Sequence, residues 1–229
     1  MQGKLYGIGV GPGDPELMTL KAVRIIRECD VVAVPSEDLE TCVAYHIAKR
    51  AVVDIEEKEI LALDMPMTKN KDVLNANYDL AASKIKEHLD AGKDVAMLTL
   101  GDPTVYSTYM YVHHRIEEAG YETHIISGIT SFCAAAATLN MSLVERSEPL
   151  HIYPGTYELD ELFTVSGTKV LMKSARKFNE VKGRLLESDM EVCMVENCGL
   201  PEEQICYGIE NFPEQSSYYT LIIAKEKGE

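Results

Sequence analysis

The sequence predicts an α/β protein in two lobes, the first built on a largely parallel sheet and the second on a mixed sheet. Three observations carry this. Lys4–Val10, a helical stretch running to about Glu28 and Asp30–Pro35 follow one another as strand, helix and strand. That succession within about 30 residues is a βαβ unit, which requires parallel strands. Strands and amphipathic helices then alternate to Ile126, whereas from about Glu145 strands dominate and few helices separate them. The chain has 229 residues, enough for one large domain or two small ones at about 150 residues each. The two parts are read as residues 1–127 and 128–229, packed together because no Gly/Ser-rich linker divides them.

The first strand, Lys4–Val10, has glycines at alternate positions and opens into Gly11-Pro12-Gly13-Asp14-Pro15-Glu16. Asp14 fits an N-cap and Pro15 the first helical position. Leu17, Leu20, Ala22, Val23, Ile25 and Ile26 then give a broad apolar face. Pro35 ends the second strand. A helix is expected around Thr41–Ala51, with Val43, Ile47 and Ala48 inward, then a strand at Ile60–Leu63 and a loop over Met65–Lys71. Ala76–Ala91 reads as a helix closed by Gly92, with Leu80, Ile85 and Leu89 buried. Asp94–Leu98 is a buried strand, Tyr109–Ala119 a helix closed by Gly120, and Glu122–Ile126 another strand. The small apolar run Cys133–Leu139 suits a helix buried between two sheets. The later strands are Leu150–Tyr153, Lys169–Met172, Glu191–Val195, Gln204–Tyr207 and Tyr218–Ala224.

Composition narrows the function classes. A net charge of −15 repels phosphate backbones, so no nucleic-acid partner is expected. No run is apolar and long enough to span a bilayer, and Met1-Gln2-Gly3-Lys4-Leu5 lacks a signal-peptide layout. The expectation is a cytoplasmic protein without membrane attachment. The cysteines at 29, 42, 133, 193, 198 and 206 include no Cys-x-x-Cys pair, and reduced, mostly buried thiols are expected rather than a disulfide framework or a metal site. His113 and His114, adjacent on a helix, point in different directions; they read as solvent-side or interface residues, and no metal is assigned.

Chemistry concentrates at strand ends. The strand to Leu98 runs into Leu100-Gly101-Asp102-Pro103, where Asp102 is expected as N-cap and Pro103 as first helical residue. Backbone N–H groups left at such an end are where open α/β sheets bind ligands. Gly13-Asp14-Pro15 is the same tripeptide, so two ends of one parallel sheet share a carboxyl edge. A third strand stops at Ser127-Gly128-Ile129-Thr130-Ser131, whose hydroxyls either meet a ligand or cap the next helix. A nicotinamide dinucleotide is disfavoured, because the last glycine of Gly-x-Gly-x-x-Gly falls on Pro12 or Asp14. A tight turn with no ligand is the simpler alternative for the Gly-Pro-Gly loop. Between Lys169 and Arg184 stand six basic residues and one acid, Glu180. This is either a solvated basic face or a site for a substrate with several carboxylates.

Together these residues resemble the tetrapyrrole methylase family. The carriers are Gly9-Val10-Gly11-Pro12-Gly13-Asp14 with Leu17, Thr19 and Ala22; Leu100-Gly101-Asp102-Pro103 with Tyr106; Ser127-Gly128-Ile129-Thr130-Ser131; and Glu196-Asn197 with Pro201-Glu202-Glu203-Gln204. Within the family, the stretch Thr99–Tyr111 is similar to the branch that methylates carbon 20 of precorrin-2 or of its cobalt complex. One departure is Cys198, where the family commonly has glycine after the Glu-Asn pair.

The resemblance implies a bilobal α/β enzyme, a homodimer, with S-adenosylmethionine folded in the cleft between domains and a tetrapyrrole as substrate. Carried over by motif, the cofactor contacts are Pro12, Leu100, Gly101, Asp102, Val105, Thr130, Ser131, Met172, Cys198 and Thr220. The Gly-Pro-Gly loop with Asp14 faces the tetrapyrrole, and Tyr106 serves as a donor there. Lys173, Arg176 and Lys177 are the candidates to pair with substrate carboxylates. Methyl transfer from a sulfonium to an electron-rich carbon needs alignment more than acid–base help, which agrees with the lack of a nucleophile–base pair. No base is assigned for the proton leaving carbon 20, Asp14 and Glu37 being the candidates. The alternatives are the same fold acting on another ring carbon or on a macromolecule such as diphthamide precursor or ribosomal RNA, and a binder without turnover.

Overall fold

The computed structural model describes residues 2–66, 68–155 and 162–226, with the side chain of Arg176 outside the description. The chain divides into two compact units, Met1–Thr130 and Ser131–Glu229, and each is described by itself.

The first unit contains strands β1 (Leu5–Gly9), β2 (Val31–Val34), β3 (Glu59–Ala62), β4 (Val95–Thr99) and β5 (Thr123–Ile126). They form one sheet in the order β3-β2-β4-β1-β5 with every neighbouring pair parallel. Its helices are α1 (Leu20–Glu28), α2 (Val43–Ala51), α3 (Lys71–Asp90) and α4 (Tyr109–Glu118). Alternate strand residues serve opposite faces. Ile8, Val32, Val34, Ala96 and Leu98 pack with Ala22, Ile25 and Ile26 of α1 and Ala44, Ile47 and Ala48 of α2. Leu5, Val31, Ala33, Val95 and Met97 pack with Ala81, Ile85 and Leu89 of α3 and Tyr109, Val112 and Ile116 of α4. Burial on both faces explains the continuous apolar runs of the central strands.

Several details differ from the sequence expectation, among them Leu20, which opens α1 but is exposed rather than part of its buried face. The helix expected from Pro15 to Glu28 is broken. A 3₁₀ turn at Pro15–Leu17 ends at an extended Met18, and α1 restarts at Leu20. Thr19 is the cause: its hydroxyl accepts the Ala22 N–H at 3.1 Å and donates to the Ser127 carbonyl at 3.4 Å, which replaces helical continuation with a side-chain cap. Helix α3 begins at Lys71 instead of Ala76, because Asn70 caps it by accepting the Asp72 and Val73 N–H groups. Leu80 of that helix is exposed, the buried stripe running through Tyr78, Ala81, Ala82, Ile85 and Leu89. His113 is buried, not solvent-side.

His113 follows from a glycine. A Cβ on Gly7 would lie 2.1 Å from Cζ of Tyr109, so the missing side chain is the space that the Tyr109 ring fills. Tyr109 is wholly buried. Its hydroxyl donates to the His124 carbonyl at 3.3 Å and lies 3.0 Å from His113 Nδ1. Burial pushes the Tyr109 phenol well above its usual range and the His113 imidazole below its own.

The second unit contains α5 (Ser131–Thr138), β6 (Leu150–Pro154), β7 (Thr168–Met172), α6 (Phe178–Leu186), β8 (Met190–Glu196), β9 (Gln204–Tyr207) and β10 (Thr220–Glu226). The strand order is β6-β7-β10-β8-β9, parallel between β6 and β7 and antiparallel elsewhere, as the sequence predicts for a mixed sheet. Phe178, Val181 and Leu185 of α6 pack on Leu171, Val192, Met194, Ile222 and Ala224. Among the described residues, no helix is long and apolar enough to cross a membrane.

Gly7→Ala forces a methyl into the Tyr109 ring. Overpacking of this kind costs about 1–3 kcal/mol, and chemical denaturation will show a loss in that range; wild-type stability would mean that Tyr109 yields freely.

Candidate functional site

The carboxyl ends of β1 and β4 are adjacent and their chains leave in opposite directions. The chain after β1 goes to α1 on one face and the chain after β4 goes to α4 on the other. Such a switch point opens a crevice at a sheet edge. Three loops meet there, from β1, β4 and β5.

They meet by backbone contact. The Gly101 N–H donates to the Gly11 carbonyl at 2.8 Å, and the Gly11 N–H returns to the Gly101 carbonyl at 3.3 Å. Both glycines are left-handed, at φ 77° and 73°, which other residues rarely adopt. A Cβ on Gly128 would fall 2.1 Å from the Gly101 carbonyl oxygen, and one on Gly9 would fall 2.5 Å from the Gly128 nitrogen. Asp102 joins the β4 and β5 loops. Its Oδ1 accepts the Thr104 N–H at 2.8 Å and the Thr104 hydroxyl at 2.5 Å, and its Oδ2 accepts the Gly128 N–H at 3.0 Å. Asp102 is 8% exposed, so these are buried bonds to a charged acceptor.

Asp102 is therefore not the helix cap that the sequence predicts. It caps a turn, and α4 starts six positions after Pro103, at Tyr109. Tyr106 stands in the left-handed region at φ 49°, where a bulky side chain is strained and a helix cannot propagate. Tyr106 is also exposed, whereas Tyr109 of the same stretch belongs to the core. The twin tripeptides have different roles. The Asp14 side chain accepts the Glu16 N–H, two residues on, at 2.9 Å, and closes a local turn.

Of the sequence-derived candidates, the structure brings Pro12, Asp14, Leu100, Gly101, Asp102, Val105, Tyr106 and Thr130 onto these loops. The Thr130 hydroxyl is buried and has no hydrogen-bond partner. Glu37 is exposed in the segment after β2. Ser131 starts α5.

In the second unit Met172 ends β7, Thr220 starts β10 and Glu196 ends β8; the register pairs Leu221 with Met172 and Thr220 with Glu196. These positions share one edge of the mixed sheet. The hydroxyls of Thr220 and Ser174 are buried without partners, and Ser174 follows a left-handed Lys173 at φ 58°. Ser174 is absent from the sequence-derived candidates; the only signal was its place just past a strand end. The Glu-Asn pair acts structurally. Glu196 accepts the Ser217 N–H at 2.8 Å and the Asn197 N–H donates to the Tyr219 carbonyl at 3.2 Å, which holds the turn leading to Thr220. Left-handed backbone falls on Asn197 and Gly199, at φ 54° and 74°, so the backbone at 198 has no need of glycine. Cys198 is buried, with Sγ 3.7 Å from the Thr138 hydroxyl.

The basic stretch does not form one face. Lys169 is buried and ion-paired with Glu226 at 3.4 Å. Lys182 donates to the carbonyls of Phe212 and Pro213. The Arg184 guanidinium lies 5.4 Å from the Phe163 ring centre, and the Lys173 ammonium 5.6 Å from that of Tyr218. Lys177 is half-buried beside them in chain order, and the Arg176 side chain lies outside the described residues.

A sheet edge built from glycine backbone and orphaned hydroxyls defines a small-molecule binding protein of the α/β class. Residues 4–208 match the family model of the tetrapyrrole (corrin/porphyrin) methylases. The chain is 36% identical to a probable cobalt-precorrin-2 C(20)-methyltransferase of Methanocaldococcus jannaschii, over 97% of this chain and 96% of that one. It is 28% identical to a precorrin-2 C(20)-methyltransferase of a Sinorhizobium species, over 96% and 94% of the two chains. Among solved structures it is similar to the uroporphyrin-III C-methyltransferase of Thermus thermophilus complexed with S-adenosylhomocysteine, with a TM-score of 0.71, 20% identity and 98% of both chains covered. The chain belongs to the tetrapyrrole methylases.

Asp102→Ala removes the acceptor for three donors. It will cost at least about 1.5–3 kcal/mol, the range for one hydrogen bond to a charged group. Asp14→Ala, which loses one exposed cap, will cost at most about 1 kcal/mol. Equal losses on urea denaturation would contradict the clamp.

Proposed function

We propose that this protein transfers a methyl group from S-adenosylmethionine to carbon 20 of a tetrapyrrole, cobalt-factor II or cobalt-precorrin-2, in cobalamin biosynthesis. The observation that carries the reading is the union of two things at the edge of one sheet. Backbone from three loops is packed through glycines that admit no side chain, and beside it the Thr130 hydroxyl is buried with its hydrogen-bonding capacity unused. Burying such a group unpaired is costly, and a polar ligand relieves that cost. The residues thus fit an adenosyl amino acid, which offers several hydrogen-bonding groups. The preference for the cobalt form rests on overall likeness to the cobalt-route enzymes, one of them 36% identical; identity alone does not separate the two forms, since a cobalt-precorrin-2 and a precorrin-2 C(20)-methyltransferase are each 28% identical to the chain.

Pro12, Leu100, Gly101, Asp102, Val105, Thr130 and Ser131 are assigned to the cofactor, with Met172, Cys198 and Thr220 of the second unit assigned by motif. Thr220 carries an orphaned hydroxyl of its own. The cofactor supplies a methyl group on a sulfonium, already activated for displacement. What the chain contributes is alignment, which alone removes much of the barrier to an in-line reaction. Asp102 acts by positioning, holding the loops in register. Asp14 and the exposed, strained Tyr106 are assigned to the tetrapyrrole, with Lys173, Arg176 and Lys177 for its carboxylates. Two further assignments rest on the family resemblance and the composition: the protein works as a homodimer in the cytoplasm, and its charge of −15 keeps it off nucleic acid.

Incubating the protein with S-adenosylmethionine and either cobalt-factor II or precorrin-2 tests this. One methyl group will appear at carbon 20, faster on the cobalt substrate. No methyl gain on either overturns the reading, and methylation at another carbon overturns the assignment to carbon 20.

A further inference from the structure

Helix α4 carries a group of side chains that methyl transfer does not use. One nitrogen of His113, one nitrogen of His114 and one carboxylate oxygen of Glu117 all lie within 4.8 Å of one another. His113 Nε2 is 4.0 Å and His114 Nδ1 3.8 Å from the same oxygen, Glu117 Oε2. Both separations are too long for a hydrogen bond.

The tautomer of His113 gives this convergence its meaning. The Tyr109 hydroxyl has one proton, and it donates that proton to the His124 carbonyl, which can only accept. The 3.0 Å contact between Tyr109 Oη and His113 Nδ1 then runs from the ring N–H to the hydroxyl oxygen. That assignment, which satisfies both contacts of the Tyr109 hydroxyl, puts the proton of a neutral His113 on Nδ1 and turns the lone pair of Nε2 toward the Glu117 carboxylate. Two electron-pair donors therefore confront each other with a third, His114 Nδ1, beside them. A tetrahedral ion with bonds of about 2.0–2.2 Å holds adjacent ligand atoms about 3.4 Å apart. The side chains of His114 and Glu117 are 59% and 60% exposed, so small rotations of both bring the set to that spacing. A histidine whose second nitrogen is held by a fixed hydrogen bond is the usual form of a protein metal ligand.

We infer that His113, His114 and Glu117 form a binding site for a divalent transition ion of the zinc class, with Tyr109 as the positioning residue for His113. Two imidazoles and one carboxylate suit zinc, cobalt(II) or nickel(II), whereas magnesium and calcium take oxygen ligands. Three protein ligands leave a fourth position for water or an external ligand.

The test uses the full-length protein, stripped with a chelator and titrated with Zn²⁺ and, as a spectroscopic probe, Co²⁺. One ion will bind per chain with a Kd of ~1 μM or tighter. The Co²⁺ spectrum will show a tetrahedral ligand field and no thiolate charge-transfer band. His114→Ala and Glu117→Gln, both on exposed side chains, will each weaken binding at least tenfold with an unchanged circular dichroism spectrum. Tyr109→Phe keeps the ring but releases the imidazole; it will weaken binding about 10–100-fold and alter the Co²⁺ spectrum. No binding below ~1 mM, undiminished binding in the His114 and Glu117 variants, or a thiolate band marking a cysteine site would each overturn the inference.

Discussion

The buried carboxylate of Asp102 is the interaction on which the first unit's functional edge depends. It satisfies Thr104 on its own loop and the Gly128 N–H on another, 26 residues further along the chain. It can do so only because Gly9 and Gly128 let three backbones approach within distances that any Cβ would forbid, while Gly101 supplies the left-handed turn at φ 73°. Packing and hydrogen bonding are here mutually conditional. The glycines bring the Gly128 N–H to the carboxylate, and the carboxylate compensates for the conformational freedom that glycines lose on folding. The outcome is a sheet edge whose surface is largely backbone, which is the surface a small polar cofactor can lie against.

The second unit uses other means toward a similar end. There the strand ends are held by side chains, Glu196 gripping the turn before Thr220 and the backbone reversing at left-handed Asn197 and Gly199. Among the described residues, four buried hydroxyls lack partners: Thr130 at one edge, Thr220 and Ser174 at the other, and Ser216 in the turn before Thr220. Native interiors rarely leave such groups unpaired, so their gathering at and beside these strand ends is what separates the two edges from ordinary turns.

Much of this was legible in the sequence. The strands of the parallel sheet were plain because both faces are buried, so that Val31–Val34 is apolar throughout and Val95–Thr99 is apolar up to its last residue. The mixed sheet followed from strand spacing, and Gly101-Asp102-Pro103 stood out by its repetition at Gly13-Asp14-Pro15. Long-range partners stayed hidden. Nothing near Asp102 tells of Gly128, so a clamp across loops read as a helix cap. Thr19 broke a helix because its hydroxyl also had Ser127 to reach. His113 passed for a surface residue because the space made by Gly7 for Tyr109 is tertiary. Leu80 was placed inward although the buried stripe of α3 passes beside it. Lys169 lost its place in the basic face once its strand position put it beside Glu226.

The central claim is that the close approach of the three loops creates the surface that holds the cofactor. The most direct measurement is calorimetric titration of S-adenosylhomocysteine into Gly128→Ala, whose added methyl must push the Gly101 carbonyl away. With the fold intact by circular dichroism, affinity at least tenfold below wild type is the predicted result. Wild-type affinity in a folded Gly128→Ala protein would contradict the account.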